Sequence, residues 1–233
     1  HDSACAVAAL QRDKGVTCFL SAGSWSVLGV LRDEPLLGEK ARALGLTNEA
    51  RADGGVRPLF NITGLWILQE CQRDWQRAGQ VHDIVALVEA AHRADSLGAV
   101  IDPDDSRYAH PGSMVERVTE ALHAGGAPTD ISQGQLVRAL CESFVERYAR
   151  GVRDLAALTG QAPTQLNLVG GGSRNTLLCG LTARFLGVPV LAGPAEASTL
   201  GLLLGRFEIT GALDPARRNE VIAATAETRI HRP

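Results

Sequence analysis

The sequence predicts an α/β fold in which helices flank a mixed sheet. Residues 166–207 alternate a short apolar strand, a glycine turn, a helix, a second strand and a second helix, an order typical of parallel strands. Residues 16–31 hold two apolar, β-rich runs around four small residues, which indicates an antiparallel hairpin. Residues 134–158 carry a long apolar stripe, which indicates a helix packed against a core.

In the first half of the chain, residues 4–10 are small and apolar and predict a helix. Residues 32–58 are polar and interrupted by glycine and proline, so we expect irregular structure there. Apolar side chains then recur at helical spacing in 62–77, and a second helical run follows at 81–94.

In the second half, residues 102–113 contain two prolines and clustered aspartates and predict a loop before a short helix at 114–124. Gly160 and Pro163 end the long helix. The alternating unit consists of strand 166–169, helix 176–186, strand 188–192 and helix 195–207. No fixed repeat and no low-complexity linker divide the chain, so we expect one domain over residues 1–233.

The composition excludes several classes of partner. Of the 233 residues, 45% are hydrophobic and 21% are charged, which is typical of a globular protein. The net charge is −3 and no block of Lys and Arg stands out, which disfavours nucleic acid and anionic membranes as partners. No apolar run approaches the roughly 18 residues of a membrane span, and no signal peptide pattern opens the chain.

The five cysteines form no CxxC pair, and no histidine lies at zinc-ligand spacing from any of them. We therefore expect reduced, buried cysteines in a cytoplasmic protein. The chain begins with His1 and Asp2 rather than with methionine, and we expect it to be a fragment of a longer protein.

The strongest local signal for a ligand is the segment LNLVGGGSRN, residues 166–175. Consecutive glycines between a strand and a helix let the backbone approach a ligand closely, and the helix N-terminus offers free N–H groups. This suits a nucleotide, although the segment matches neither GxxxxGK[ST] nor GxGxxG. The alternative is a tight turn that binds nothing. The candidate nucleotide contacts are Gly170, Gly171, Gly172 and Asn175.

The hairpin turn SAGSWS, residues 21–26, is a second candidate, because small residues leave N–H groups and the Ser24 hydroxyl free for a phosphate. An ordinary hairpin turn is the alternative. Asn61 and Gln69 lie eight residues apart and share one face only if their helix starts at Asn61 or earlier.

Two acidic segments allow more than one interpretation. Asp2 either caps the helix that begins nearby or serves as a general base beside that helix. The cluster Asp102, Asp104 and Asp105 has the composition of a metal site, but a solvated loop with Asx turns is the commoner structure.

Seven ordered blocks together resemble the rhamnulokinases, a branch of the FGGY carbohydrate kinases in the actin/hexokinase superfamily. The blocks are HDSACAVAA, LSAGSWSVLG, TNEA, FNITGLWILQE, IDPDDSRYAHPGSM, LNLVGGGSRNTLL and LAGPAEASTLG. The resemblance implies an RNase H-like, actin-like lobe, with ATP and sugar bound in a cleft between two lobes. It further implies that the N-terminal, sugar-binding lobe is absent from this chain.

The resemblance also implies roles for individual residues. Asp2 matches the catalytic base, and His1 and Ser3 match sugar contacts, although the family usually has Thr at the third position. Asn61 matches a position near the sugar.

On the nucleotide side, Ser24 replaces the ATP-contacting Thr of a hairpin that usually reads SSGTWS, and Ala22 is a further departure. Gln69 matches an ATP contact and Gly171 the adenine-side glycine.

The activity implied is transfer of the γ-phosphoryl of ATP, with Mg²⁺ bridging phosphate oxygens, to the 1-hydroxyl of L-rhamnulose. Another sugar or polyol, such as fuculose, and a non-catalytic nucleotide-binding module remain the alternatives. We expect the isolated chain to be folded but inactive, and its exposed apolar surface to favour self-association.

Overall fold

The computed structural model describes residues 2–10, 17–51, 54–80 and 83–233. Within these ranges, one seven-stranded sheet has the order β3-β4-β2-β1-β5-β6-β7. The strands are β1 (Cys18–Ala22), β2 (Trp25–Val30), β3 (Thr47–Ala50), β4 (Val56–Thr63), β5 (Leu166–Val169), β6 (Val190–Ala192) and β7 (Arg229–His231).

Helices cover both faces of the sheet. They are α1 (Asp2–Ala8), α2 (Glu39–Ala43), α3 (Trp66–Arg77), α4 (Ile84–Arg93), α5 (Met114–Ala124), α6 (Gln133–Thr159), α7 (Thr176–Leu186), α8 (Ala197–Ile209) and α9 (Arg218–Thr225). Short 3₁₀ turns occupy Ser106–Tyr108, Gly171–Arg174 and Pro215–Arg217. The predicted mixed sheet with flanking helices is confirmed.

Strand β1 shows why two layers of helices are needed. Its alternate side chains point to opposite faces, so Cys18 and Leu20 join the large core beneath α3 to α7. Phe19 points the other way and packs with Val7 of α1 and Ala197 of α8. Because both faces of the strand are buried, the sheet lies between two helical layers.

Helix α6 is the longest element of the large core, and local signals set both of its ends. Ser132 and Gln135 form a reciprocal capping box at its N-terminus. Gly160 ends the helix with a left-handed φ of 72°. The predicted 134–158 helix is therefore confirmed, within one residue at each end.

Two sequence predictions were wrong. Residues 32–58 are not irregular, because they contain α2, β3 and the start of β4. The run 62–77 begins as strand, and its helix starts only at Trp66. Pairing of β4 with β2 overrides the local signal of Pro58, which lies opposite Asn48 of the edge strand β3.

None of the helices in the part of the chain that the structure describes combines the length and apolar character of a membrane span.

Candidate functional site

Four strands run in the same direction and end at the same edge of the sheet. β1, β5 and β6 are mutually parallel neighbours, and β4 is related to β1 through two antiparallel pairings with β2. The segments that follow these strands therefore meet at one edge, which is where open α/β sheets bind ligands. They are residues 23–24, 64–65, 170–175 and 193–196.

At this edge the structure brings Ser24 and Gln69 together. The Ser24 hydroxyl donates a hydrogen bond of 2.9 Å to Oε1 of Gln69 in the first turns of α3. The Ser24 carbonyl accepts from the N–H groups of Gly64 and Trp66, each at 3.1 Å. Two residues matched to ATP contacts are thus direct neighbours. Backbone hydrogen bonds from the turn before α3 hold the hairpin in place.

The hairpin does not leave all of its amides free. The Gly23 N–H donates to the Trp25 carbonyl at 2.9 Å, so it is already used inside the turn. A phosphate at this turn would therefore depend on the Ser24 side chain more than the small-residue pattern suggested.

Gly64 is a site residue that the sequence prediction missed. A Cβ atom at Gly64 would lie 2.5 Å from Oγ of Ser26 and 2.7 Å from the Gly23 carbonyl oxygen. Only glycine therefore allows the β4–α3 turn to approach the hairpin so closely. The sequence analysis missed this residue because it placed residues 62–77 in one helical run, whereas the structure places Gly64 between β4 and α3.

The three consecutive glycines have three different environments. Gly170 has a left-handed φ of 83°, and a Cβ there would lie 2.9 Å from the Ala22 carbonyl oxygen. A Cβ at Gly172 would lie 2.5 Å from the Ala22 Cβ. A Cβ at Gly171 would meet nothing within 4 Å, and its φ is outside the left-handed region. Packing on the hairpin thus requires two of these glycines but not Gly171.

Asn175 has a capping function in the structure. Its side-chain oxygen accepts from the Leu178 N–H at 3.0 Å and caps α7. Its amide group donates to the buried Sγ of Cys141 at 3.7 Å. These contacts hold the end of the glycine segment, and a nucleotide contact of Asn175 stays a prediction.

Asp2 is exposed in the first turn of α1, where the helix dipole favours a carboxylate. Its carbonyl accepts a hydrogen bond of 3.1 Å from Ser198 in the first turn of α8. Because α8 follows the carboxyl end of β6, this contact places Asp2 at the same sheet edge. A Cβ on Gly201 would lie 1.8 Å from the Cys5 carbonyl oxygen, so α1 and α8 pack very closely.

The residues beside Asp2 differ in what can be said of them. His1 lies outside the described residues. The Ser3 hydroxyl accepts a hydrogen bond of 3.0 Å from Arg57 of β4. Arg57 is buried and also pairs with Glu49. Burial lowers the pKa of the Arg57 guanidinium, and the Glu49 carboxylate opposes this shift.

Asn61 lies on β4, opposite Val27, and therefore does not share a helical face with Gln69. The condition set for a shared face, a helix that starts at Asn61 or earlier, is not met. Asn61 instead lines a cavity of about 660 Å³ together with Ser24, Asp104 and Arg147.

The aspartate loop forms Asx turns. Asp102 accepts from the Asp104 N–H at 3.2 Å, and Asp105 accepts from the Arg107 N–H at 2.9 Å. The Arg107 N–H and guanidinium lower the pKa of the Asp105 carboxyl. Across the described ranges, no group of three or more His, Cys, Asp or Glu side chains is placed to hold a metal ion.

A second cavity, of about 550 Å³, lies beside the glycine segment. An ion pair of 3.2 Å between Arg174 and Glu196 lies on its wall. Gly193 lines it as well, and a Cβ there would lie 2.3 Å from the Glu227 carbonyl oxygen. The sequence analysis did not identify this wall.

Comparison with known proteins agrees with this arrangement. Residues 18–205 match the model of the C-terminal domain of the FGGY family of carbohydrate kinases. A rhamnulokinase of Bacteroides thetaiotaomicron is 33% identical over the whole chain, which covers 47% of that protein. The chain thus spans about half the length of this curated relative.

Solved structures share the fold. A xylulose kinase from Rhodospirillum rubrum aligns with a TM-score of 0.70 at 19% identity, over 100% of this chain and 46% of that one. A glycerol kinase from Plasmodium falciparum, solved with ADP, aligns with a TM-score of 0.65 at 15% identity, over 96% and 43% of the two chains. The predicted RNase H-like, actin-like lobe is confirmed.

Proposed function

The chain belongs to the FGGY family of carbohydrate kinases, and on that premise we propose that it is the C-terminal, nucleotide-binding lobe of an ATP-dependent sugar kinase. The observation that carries the proposal is the meeting, at one sheet edge, of the Ser24–Gln69 contact and the glycine segment around Gly171. The substrate we propose is L-rhamnulose, phosphorylated on its 1-hydroxyl. Support for this sugar is the 33% identity to a rhamnulokinase along the whole chain.

In the proposed reaction, the Asp2 carboxylate accepts the proton of the sugar hydroxyl while the hydroxyl oxygen attacks the γ-phosphorus. The bond from that phosphorus to the bridging oxygen breaks, and ADP leaves. Exposure of Asp2 beside the start of α8 is compatible with this role, because its carboxylate is open to a ligand at the sheet edge.

The nucleotide would lie across the glycine segment with its phosphates toward the hairpin. Gly171 offers a bare backbone surface, on which the base or ribose can pack. Ser24 would donate its hydroxyl to a phosphate oxygen, and Gln69 holds that hydroxyl when no phosphate is bound.

Mg²⁺ enters the proposal only with the nucleotide. Mg²⁺ is usually held by substrate phosphates, waters and one or two carboxylates, and it would offset phosphate charge. Among the described residues, no group of three or more His, Cys, Asp or Glu side chains is placed to hold a metal ion, and the proposal routes no step through one.

The other half of the active site would belong to an N-terminal lobe of the same protein. Helix α8 exposes large apolar side chains, with Leu202 62% and Ile209 83% accessible. Such a surface supports contact with another lobe or self-association of the isolated chain. We place the whole protein in the cytoplasm, consistent with free cysteines in the described ranges.

The test is a coupled assay of ADP release by the chain alone and by the longer protein with its N-terminal half. The sugars are L-rhamnulose, L-fuculose, D-xylulose and glycerol. We expect turnover by the longer protein to be fastest with L-rhamnulose. The chain alone should bind ADP weakly and turn over no sugar, because it lacks the positioning that contributes roughly 7–11 kcal/mol in well-oriented reactions.

Other results would contradict parts of the proposal. Preference for L-fuculose would support the proposed kinase activity but contradict L-rhamnulose as the substrate. Binding of ADP by the longer protein without any sugar-dependent turnover would indicate a non-catalytic nucleotide-binding module. Turnover by the chain alone near the rate of the longer protein would show that the chain holds a complete active site.

A further inference from the structure

Asp104 lines the Asn61 cavity of about 660 Å³ and joins two elements of its wall through its two carboxylate oxygens. Oδ1 accepts a hydrogen bond of 2.9 Å from the N–H of Thr63, the last residue of β4. Oδ2 accepts from Nε of Arg147 on α6 at 2.6 Å. The Arg147 guanidinium lies 5.7 Å from the ring centre of Phe60 and is largely shielded from solvent. Asp104 thus joins the end of β4 to the long core helix.

The residues after Thr63 are the ones that hold the hairpin. Gly64 and Trp66 donate to the Ser24 carbonyl, and Leu65 donates to the Gly23 carbonyl at 2.9 Å. A change in the position of the β4–α3 turn would therefore be transmitted directly to the Ser24 hydroxyl and its partner on α3.

The loop that carries Asp104 is itself well fixed. The Asp102 side chain accepts from the Asp104 N–H, and the indole N–H of Trp66 donates to the Tyr108 carbonyl at 3.0 Å. The loop therefore holds the turn at two points, Thr63 and Trp66. A carboxylate hydrogen-bonded to an arginine and a backbone amide makes charge-assisted contacts, which are stronger than neutral ones.

We propose that Asp104 is a positioning residue for the phosphate-binding hairpin, acting through Thr63 and the β4–α3 turn. This inference rests on the proposed function, because it assumes that Ser24 contacts a nucleotide phosphate. Asp104 does not touch the nucleotide in this proposal. It keeps the turn in one place, so that the Ser24 hydroxyl meets the phosphate without a search among conformations.

The test compares ligands with and without phosphates, by calorimetry on the longer protein that contains both lobes. For Asp104→Ala we expect ADP affinity to fall about tenfold, equivalent to about 1.4 kcal/mol. Adenosine affinity should stay within about twofold, because adenosine has no phosphate for the hairpin to bind. Asp104→Asn keeps an oxygen for the Thr63 N–H and should retain most of the ADP affinity.

Glu142→Gln is the matched control. Glu142 also accepts from an arginine, Arg138 at 2.9 Å, and from a hydroxyl, Ser96 at 2.8 Å, but these contacts join α6 to the loop that follows α4. It should leave both affinities unchanged. Melting curves verify that each variant is folded.

The outcomes separate this inference from the proposed function. Parallel losses for ADP and adenosine in Asp104→Ala, or an equal loss of ADP in Glu142→Gln, would show a merely structural role and overturn the inference. Unchanged ADP affinity in a folded Asp104→Ala would overturn it as well. Failure of the wild-type protein to bind ADP would instead contradict the proposed function.

Discussion

Replacing Gly171 with valine tests the glycine segment as a nucleotide surface, since this position separates binding from folding. An added Cβ meets nothing within 4 Å, and φ is outside the left-handed region, so the folded chain can accept a side chain. Gly→Ala changes at compatible positions stabilise by about 0.4–1 kcal/mol through the unfolded state.

Nucleotide binding should respond much more strongly than stability. A ligand packed on the bare backbone of Gly171 would collide with the valine methyl groups, and overpacking costs about 1–3 kcal/mol. Because each 1.4 kcal/mol is about tenfold in affinity, we expect ADP to bind about 5- to 150-fold more weakly. The assay is calorimetry with ADP on the longer protein, with a thermal melt of the same variant.

Two other glycines provide controls for Gly171→Val. Gly172→Val should destabilise the fold, because its Cβ would lie 2.5 Å from that of Ala22. Gly180→Ala, at an open position of α7, should raise stability by about 0.4–1 kcal/mol and leave ADP affinity unchanged. A folded Gly171→Val variant with wild-type ADP affinity would refute the assignment of Gly171 to the nucleotide site.

Two further predictions concern the catalytic base and the buried thiols. Asp2→Asn in the longer protein should lower turnover at least about 100-fold, the usual scale for a general base, while ADP affinity stays unchanged; turnover within a few-fold of wild type would remove Asp2 from the mechanism. Burial raises the pKa of the thiols of Cys18, Cys71, Cys141 and Cys179 from about 9 to about 12. The unfolded chain then loses these protons first, so stability should fall as pH rises above about 9, by up to about 1.4 kcal/mol per pH unit for each thiol. Melts between pH 8 and 10.5 measure this effect, and a constant Tm would contradict it.

Sequence patterns predicted the elements whose signals are local. The apolar stripe of α6 spans many helical turns, and the capping box and Gly160 mark the two ends of the helix. The hairpin of β1 and β2 was equally clear, because its apolar runs flank four small residues. In these segments, the residues that predict the helix or the hairpin are the residues that form it.

The missed elements depend on distant partners. β3 pairs with β4, and β4 pairs on its other side with β2, whereas the glycine and proline residues around Pro58 concealed both strands in the sequence. The sequence supported no prediction for α9 or β7, although β7 pairs with β6 through Ile230 opposite Leu191. Three-residue strands at a sheet edge carry too little local pattern to be recognised.

The sequence predicted a set of candidate site residues but not how these residues are arranged in space. Nothing in the spacing of Ser24 and Gln69 shows that they share a hydrogen bond, because the contact depends on how the β4–α3 turn returns to the hairpin. Asp104 and Arg147 were missed as walls of the Asn61 cavity for the same reason. Likewise, three glycines in a row do not reveal which one lacks a packing neighbour.

The departures from the family pattern have structural explanations that limit what they mean for the substrate. Ala22 is fully buried and faces Gly172, so its small side chain lets the glycine segment sit on the hairpin. Ser24 keeps a hydroxyl, which donates a hydrogen bond to Gln69, and the Ser3 hydroxyl accepts a hydrogen bond from buried Arg57. Each exchanged side chain therefore has a partner within this lobe, so none of the three exchanges is itself an argument for a different sugar. The choice among ketoses should then depend on groups beyond these positions, and the sugar panel on the longer protein measures that choice directly.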